Sequence, residues 1–401
     1  MRHSSGTTVL VTGGEHFGGL AAVRALTLAG HATWVTASAD RSYAAFSRLP
    51  AGTIRVPDPG AGEDEYVRAV VAATERVGAQ VVLPGTDIEL AALAARTTWF
   101  PPGVAVGVGT PEQVERATAK PSLIELAAVA GFETPPTQIL ERADVERVEG
   151  PFPMVVKPLR SDSEGPDGVL VHGTARRVDD PAALSRVIDQ LGGEAWVIQP
   201  YLAGELVAVG GVAADGKVIA AVHQVSRRIW PTDCGGSSYA MTIAPDAVRE
   251  ERIARLLGEI GWSGLFQVQL LKDDAGEFLI DLNPRLYGTL TLALAAGVNL
   301  PALWVDLLLG GTPPPRPGYR AGTRFRAQWK DARALAAIGR DGSLGEALRG
   351  LAPRLRTTHP VFSWSDPLPL LAGSTRVVRN VASKAAVRYH QTASNHAENR
   401  P

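Results

Sequence analysis

Apolar and polar positions alternate most clearly in residues 264–288. Two apolar stretches flank the turn Lys-Asp-Asp-Ala-Gly-Glu, a pattern that predicts a β-hairpin. Because successive side chains of a strand point to opposite faces, Gln267 and Gln269 share one face of the first strand. In the return strand the same alternation predicts a shared face for Leu279, Asp281 and Asn283. We therefore expect the hairpin to gather amide and carboxylate oxygens at one edge of an otherwise apolar sheet.

The N-terminal part of the chain alternates apolar runs with amphipathic stretches. The runs at 7–12, 32–36 and 80–84 predict strands, and the stretches at 20–29 and 67–76 predict helices. Strands that alternate with helices indicate a parallel α/β sheet of the Rossmann-like kind.

A glycine-rich turn follows the first predicted strand and contains Gly13, Gly14, Gly18 and Gly19. Such a turn is also typical of dinucleotide-binding sites, and Asp40 lies near the position of a ribose-binding acid. The spacing is not Gly-x-Gly-x-x-Gly, so this pattern alone is a weak indication. A nucleotide-sugar or dinucleotide site at this turn remains an alternative interpretation.

The rest of the chain predicts α+β structure followed by a mainly helical C-terminal extension. Helices are expected at 112–131, 246–261, 290–296, 332–338 and 344–351. Strands are expected at 155–158 and 196–201, with a hairpin over 207–222. The prolines of 313–317 mark a linker. The basic stretch 376–388 indicates either a solvated helix face or contact with an anionic membrane, and the last ten residues are expected to be disordered.

Composition narrows the classes of function. The chain has 401 residues, a formal net charge of -1 and a single cysteine, Cys234. This length favours two or three domains, and the charge favours neither nucleic acid nor an anionic bilayer as a partner. A lone cysteine excludes an intramolecular disulfide and a cysteine-based zinc site. The sequence has no apolar run of membrane-spanning length and no signal-peptide core, so we expect a cytoplasmic protein without a transmembrane segment.

The polar face of the hairpin has the chemistry of a magnesium site. Gln269, Asp281 and Asn283 offer oxygen atoms, which Mg²⁺ binds where it also contacts phosphate. Arg285 follows the strand and adds a planar donor fork suited to phosphate or carboxylate, which makes it a candidate catalytic residue. The string Asp-Leu-Asn-Pro-Arg at 281–285 resembles the last metal-binding motif of the ATP-grasp superfamily, usually Glu-x-Asn-Pro-Arg. The resemblance implies that Asp281 and Asn283 hold magnesium ions against nucleotide phosphates. Gln269 stands where most of the superfamily has an acid, although carbamoyl-phosphate synthetases also have glutamine there.

Further motifs of this superfamily lie between residues 80 and 312. Lys120, in Thr-Ala-Lys-Pro-Ser, and Lys157, in Val-Val-Lys-Pro, resemble the two lysines that neutralise the charge of ATP phosphates. Residues 197–205 resemble the interdomain hinge, where backbone atoms read adenine and an acid binds the ribose. The resemblance implies a nucleotide-binding set of Lys120, Lys157, Gln199, Tyr201, Leu202 and Glu205. Loop 161–168 stands where the superfamily has a flap over the phosphates, and its acids either face outward or help to bind a metal or a cationic substrate.

We name the predicted metal-binding hairpin within 264–288 the metal hairpin. The segment between the hinge and this hairpin predicts the organic substrate site. Arg227 and Arg228 each have a fork that can hold a carboxylate with two hydrogen bonds, and Gly236 permits close approach of the backbone. In related carboxylate–amine ligases the corresponding stretch lines the acceptor pocket, and it resembles that of a group of predicted carboligases. The predicted substrate residues are Arg227, Arg228, Gly236 and Ser237, and Arg228 is also a candidate catalytic residue. His223 lies nearby and is expected to be structural.

The resemblance implies four regions and one reaction. The regions are a Rossmann-like pre-ATP-grasp domain (1–110), two ATP-grasp subdomains (111–195 and 196–312) and the linker with its C-terminal extension (313–401). The reaction joins a small, amino-acid-like carboxylic acid to an amine through an acylphosphate, using ATP and Mg²⁺ and releasing ADP and phosphate. It requires positioning and charge stabilisation rather than a protein nucleophile. The partners are then small substrates, and a homodimer is compatible with the sequence. A bicarbonate-using carboxylase or carbamoyl-phosphate-type enzyme is a second alternative.

Overall fold

The computed structural model describes most of the chain. The described ranges are 6–38, 42–148, 150–159, 162–164, 170–172, 175–191, 194–313 and 315–372. For 162–164, 170–172 and residue 146 the backbone alone is described. Several predictions fall outside the described residues, namely those for Asp40, the acidic side chains of loop 161–168, the basic stretch 376–388 and the C-terminal tail.

The N-terminal sheet is parallel, as the sequence pattern predicts, and its described part has five strands, of which the pattern indicated three. Its strands are β1 (Thr8–Val11), β2 (Ala32–Ala37), β3 (Gly52–Arg55), β4 (Val81–Leu83) and β5 (Ala105–Val106), in the spatial order β3-β2-β1-β4-β5. Three helices belong to this region: α1 (Phe17–Leu28), α2 (Glu63–Val77) and α3 (Asp87–Ala94). Val9 and Val11 pack on the side of α1, and Leu10 packs on the side of α2 and α3. Covering both faces explains why β1 is apolar at consecutive positions.

Two helices, α4 (Pro111–Thr118) and α5 (Lys120–Ala130), occupy the stretch that the pattern predicts as one. The prediction of a continuous helix is wrong at Ala119, whose backbone is extended with a ψ of 127°. Pro121 has no N–H to donate and is tolerated in a first helical turn, so a new helix begins there. The break places Lys120 at the beginning of α5.

A four-stranded antiparallel sheet follows. Its elements are β6 (Gln138–Glu141), β7 (Met154–Pro158), β10 (Arg176–Val178) and β11 (Ala195–Pro200), with the separate pair β8 (Asp162–Glu164) and β9 (Leu170–His172) and the helix α6 (Pro181–Leu191). The spatial order is β10-β7-β11-β6. Trp196 and Val156 are fully buried between this sheet and α6. Lys157 pairs with Val197 in the neighbouring strand, which fixes its position near the end of β7.

The largest sheet has seven strands. They are β12 (Glu205–Ala214), β13 (Lys217–Trp230), β14 (Gly236–Thr242), β15 (Gly264–Lys272), β16 (Glu277–Asn283), β17 (Arg324–Arg326) and β18 (Thr357–Thr358), in the order β16-β15-β12-β13-β14-β17-β18. The helices are α7 (Ala247–Ile260), α8 (Leu290–Ala296), α9 (Leu300–Leu308), α10 (Gln328–Arg340) and α11 (Leu344–Leu351). Two of these strands, β17 and β18, come from the C-terminal extension and were not indicated by the sequence pattern.

The N-terminal sheet and the seven-stranded sheet share one apolar core. Val11 of β1 and Val222 of β13 belong to the same buried cluster, together with Leu286 and Tyr287 just beyond β16. Residues near the metal hairpin are therefore packed against the Rossmann-like part of the molecule.

The glycines of the N-terminal turn are needed for close packing of the chain. Gly13 has a φ of +67°, a conformation that L side chains rarely adopt. A Cβ on Gly19 would lie 2.5 Å from the carbonyl oxygen of Gly13, and one on Gly18 would lie 3.0 Å from the backbone of Leu286. The turn therefore has a structural reason for its glycines that is independent of any nucleotide.

Asp366 fastens the C-terminal extension to the N-terminal domain. Its buried carboxylate accepts hydrogen bonds from Arg24 Nε at 3.1 Å, Ser47 Oγ at 2.8 Å and the backbone N–H of Arg48 at 3.3 Å.

Across the part of the chain that the structure describes, no single helix is long and apolar enough to cross a membrane. One pair, Leu290–Ala296 with Leu300–Leu308, meets that test jointly but is bent by 96° and largely buried in the core.

Candidate active site

The metal hairpin forms as the sequence pattern predicts, with one correction. Gln269 pairs with Asp281 and Gln267 pairs with Asn283, so the polar residues share a face. The expectation that Leu279 shares that face is wrong, because Leu279 pairs with Leu270 and is buried in the core. A β-bulge changes the register between these pairs, and a bulge inserts one extra residue into one strand. Simple alternation of residues cannot reveal that shift.

Two lysine ammonium groups converge on this hairpin. Lys120 Nζ donates to Asp281 Oδ1, and Lys157 Nζ donates to the carbonyl oxygen of Ile280 at 3.3 Å. Loss of hydration inside the site, reinforced by the charge of Lys120, lowers the pKa of Lys157 to about 8, against the opposing influence of Asp281 and Cys234. An anionic ligand in the site would stabilise the charged form of Lys157.

Arg285 joins the metal hairpin to the N-terminal domain. Its Nε and Nη2 donate to the two carboxylate oxygens of Asp87 at 2.9 and 2.8 Å. Nη2 also donates to Asn283 Oδ1 at 3.1 Å, and Nη1 donates to the carbonyl oxygen of Leu286 at 2.8 Å. Because Asp87 opens α3, this bidentate pair holds the hairpin against the Rossmann-like domain.

The two lysines, Arg285 and the polar residues of the metal hairpin line one cavity of about 250 Å³, which we name the phosphate cavity. Its polar lining includes Lys120, Lys157, Gln269, Asp281, Asn283, Arg285 and Lys330. Within the described ranges, no group of three His, Cys, Asp or Glu residues could hold a metal ion. A single carboxylate with two side-chain amides nevertheless fits Mg²⁺, which often takes one or two carboxylates and completes its shell with water and phosphate.

A larger cavity of about 530 Å³, the hinge cavity, adjoins the first one. The two cavities share lining residues that include Lys157 and Ile280. The predicted hinge residues Gln199, Tyr201, Leu202 and Glu205 all line the hinge cavity. Gln199 Nε2 donates to Thr137 Oγ1 at 2.8 Å, and Val155, Leu271 and Ile338 are among the apolar lining residues. A mostly apolar pocket that opens onto a cationic one has the shape and polarity of a nucleotide site.

Arg227 and Arg228 are neighbours in the chain but differ in environment. Arg227 Nη1 donates to Glu205 Oε1 at 2.5 Å at the exposed rim of the hinge cavity. Arg228 binds the buried carboxylate of Asp331 with both Nε and Nη2, at 2.7 and 3.0 Å, and lies 4.4 Å from the ring centre of Tyr239. Both residues line the hinge cavity, but the guanidinium of Arg228 is hydrogen-bonded to Asp331 of α10.

The other predicted substrate residues are divided between the cavity and the sheet. Gly236 lines the phosphate cavity. The Oγ of Ser237 lies 2.6 Å from that of Ser226 on the neighbouring strand. His223 is fully buried, with Nε2 2.8 Å from Glu250 and Nδ1 3.1 Å from Arg249, so the structural role expected for it is confirmed.

Comparison with known proteins identifies the fold. Residues 193–330, about a third of the chain, match the family described as ATP-grasp in the biosynthetic pathway with Ter operon. No curated protein matches the sequence. The biotin carboxylase of Campylobacter jejuni has a TM-score of 0.60 at 13% identity, covering 79% of this chain and 74% of that chain. The chain has the ATP-grasp fold.

Two further ATP-grasp structures are similar. N5-carboxyaminoimidazole synthetase from Staphylococcus aureus, solved with ADP, has a TM-score of 0.59 at 13% identity over 79% of this chain and 80% of that chain. L-amino acid ligase from Bacillus licheniformis has a TM-score of 0.55 at 16% identity over 79% of this chain and 76% of that chain. The resemblance that the motifs indicate is thereby confirmed at the level of the fold.

The ATP-grasp motifs do not include every residue that the structure brings to the cleft. Lys330, Ala334 and Ile338 of α10 also line the two cavities. They belong to the extension predicted as a separate region, and no local string connects them with the metal hairpin. The spacing of four residues is the one signal that could have shown that they share a helix face.

Proposed function

We propose that this ATP-grasp protein is an ATP- and Mg²⁺-dependent ligase that joins a small carboxylic acid to an amine. A carboxylate oxygen attacks the γ-phosphorus of ATP, and ADP leaves. The amine nitrogen then attacks the carbonyl carbon of the acylphosphate, phosphate leaves, and the nitrogen releases a proton as the amide forms. Both steps require positioned reactants and stabilised negative charge, which is what a cationic cavity supplies.

The observation that carries this proposal is that the two cavities share lining residues and therefore adjoin. The hinge cavity has the volume and apolar lining for adenosine, and the phosphate cavity has the cations for a polyphosphate. Lys157 lines both, so a single nucleotide can extend from one to the other. Asp281, Asn283 and Gln269 would hold Mg²⁺, which supplies charge neutralisation for the phosphates when it is bound.

The acid and the amine are proposed to be amino-acid-like. The L-amino acid ligase among the similar structures supports this class, and Arg227 at the rim offers a guanidinium suited to a carboxylate. The test is a screen of amino-acid pairs for phosphate release with mass detection of the product. We expect a condensed product in amounts equal to the phosphate released. Phosphate release without a condensed product for any pair would contradict the ligase.

A bicarbonate-using enzyme is the second candidate. Gln269 in place of the usual acid favours it, as do a biotin carboxylase and an N5-carboxyaminoimidazole synthetase among the similar structures. ATP turnover that requires bicarbonate, in buffers depleted of carbon dioxide, would support this candidate over the amine ligase. Turnover that is indifferent to bicarbonate would exclude it.

A further inference from the structure

One face of α10 lies along both cavities. Lys330 lines the phosphate cavity, whereas Ala334 and Ile338 line the hinge cavity. Residues four apart on a helix lie above one another on the same face, so these three form a single row. The row runs from the phosphate end of the cleft to the hinge end.

A buried ion pair fixes the orientation of this row. Asp331 follows Lys330 in α10, and its carboxylate binds Arg228 of β13 at 2.7 and 3.0 Å. Arg326 Nε lies 3.2 Å from the same carboxylate, and Ser238 Oγ donates to it at 3.4 Å. With Asp331 held in this way, the first turn of α10 cannot rotate without breaking a buried contact. Lys330 is therefore directed toward the cavity by its neighbour.

The Lys330 side chain lies near β14 and α1. A Cβ on Gly236 of β14 would lie 3.9 Å from Lys330 Nζ, and the ring centre of Phe17 in α1 lies 5.9 Å from it. The Lys330 side chain is exposed and lines the phosphate cavity. The surrounding protein lowers the pKa of the Lys330 ammonium by reducing its hydration. An anion in the cavity would offset this loss.

The cations of the phosphate cavity differ in their counter-ions. Lys120 has Asp281, and Arg285 has Asp87. Within the described ranges, Lys330 has no carboxylate within ion-pair distance. Lys120 and Lys157 also line a small space next to the hinge residue Gln199, whereas Lys330 and Arg285 do not. Lys330 therefore lines the phosphate cavity but not the space next to the hinge residue Gln199.

We propose that Lys330 binds the terminal phosphoryl group of ATP, the group that the reaction transfers. This inference rests on the proposed function, because it requires a nucleotide whose base lies in the hinge cavity. The C-terminal extension then supplies a cation that the site requires. The three residues on α10 contact both ends of the nucleotide, so its affinity depends on the number of phosphates. Lys120 and Lys157 serve the inner phosphates, and Lys330 distinguishes a triphosphate from a diphosphate.

The test compares the binding of Mg²⁺ complexes of AMP-PNP, a non-hydrolysable ATP analogue, and of ADP by calorimetry. Lys330→Met should weaken the binding of AMP-PNP about ten- to a hundredfold, the scale of one charge-assisted hydrogen bond. The binding of ADP should change less than about threefold. Ile338→Ala should weaken both nucleotides by the same factor, because Ile338 lies at the hinge end. Lys217→Met is the matched control, since Lys217 is exposed and lines neither cavity.

Three results would overturn the proposal. Equal weakening of both nucleotides by Lys330→Met would assign Lys330 to the inner phosphates. Unchanged binding of both, with a folded variant by circular dichroism, would leave Lys330 as a wall of the cleft. If the wild-type protein bound neither nucleotide, the proposed function would itself fail, and the inference with it.

Discussion

The cleft has two walls that are built in different ways. The metal hairpin, β15 and β16, comes from one short stretch of chain and carries its polar residues at alternating positions. The second wall, α10, comes from the C-terminal extension and is held by one buried carboxylate, Asp331, against Arg228 more than a hundred residues earlier. The first wall can be recognised from the sequence as a motif. The second depends on an ion pair between residues far apart in the chain, which no local pattern indicates.

This contrast predicts that the α10 wall is sensitive to loss of its buried pair. Asp331→Ala leaves the guanidinium groups of Arg228 and Arg326 without their carboxylate, and breaking a buried pair typically costs about 3–5 kcal/mol. The free energy of unfolding in urea measures this. The matched control is Glu205→Ala, which removes the exposed pair with Arg227 and should cost less than about 1 kcal/mol. Similar losses in the two variants would mean that Asp331 does not hold α10 in place.

The hairpin wall, together with Lys157 of β7, whose ammonium contacts it, should be sensitive in catalysis instead. Lys157→Ala and Asp281→Asn should each lower turnover of ATP by at least about a hundredfold, the scale expected when a preorganised charged group is lost. Phosphate release in the presence of substrates measures the effect, and circular dichroism checks the fold. Lys217→Ala serves as the control. Folded variants with near wild-type rates would remove these residues from the site.

Arg227, at the rim of the hinge cavity, should have a smaller effect on catalysis, confined to one substrate. Arg227→Ala should raise the KM for one organic substrate about ten- to a hundredfold and change the KM for ATP far less. The reason is that the Arg227 guanidinium pairs with the exposed carboxylate of Glu205, and a substrate carboxylate other than the reacting one can replace that partner. Steady-state kinetics with each substrate varied in turn provide the measurement. A rise in the KM for ATP alone would place Arg227 in the nucleotide site.

The lowered pKa of Lys157 predicts two opposite effects of pH. Folding holds this pKa at about 8, below the ordinary lysine value of 10.5, so the unfolded chain binds the extra proton between those values. Stability without nucleotide should therefore rise from pH 8 to 10.5 through this residue. Affinity for ADP should fall over the same range, because the neutral amine cannot pair with phosphate. Comparing wild type with Lys157→Met isolates both effects: the melting temperature reports stability, and calorimetry reports the affinity for ADP. If each quantity depended on pH in the same way in the two proteins, the prediction would be wrong.

The accuracy of the sequence-based predictions follows the range of the interactions involved. The pairing of Gln269 with Asp281 depends on alternation within a hairpin, and the structure confirms it. Leu279 was misplaced because a bulge shifts the register, and the single helix over 112–131 failed at Ala119 because Pro121 starts a new one. Lys330 and Asp331 were missed because their partners are distant in the chain. The domain boundaries and the roles of the site residues stay predictions.

The central claim is that the cleft transfers the γ-phosphoryl group of ATP to a carboxylate. The most direct measurement uses a substrate acid labelled with ¹⁸O in its carboxylate and mass analysis of the released phosphate. We predict one ¹⁸O in each phosphate, because the carboxylate oxygen that attacks phosphorus leaves with it, and at least about a hundredfold less labelled phosphate in the same time with Asp281→Asn. Phosphate that carries no ¹⁸O while the amide product accumulates would contradict the acylphosphate route.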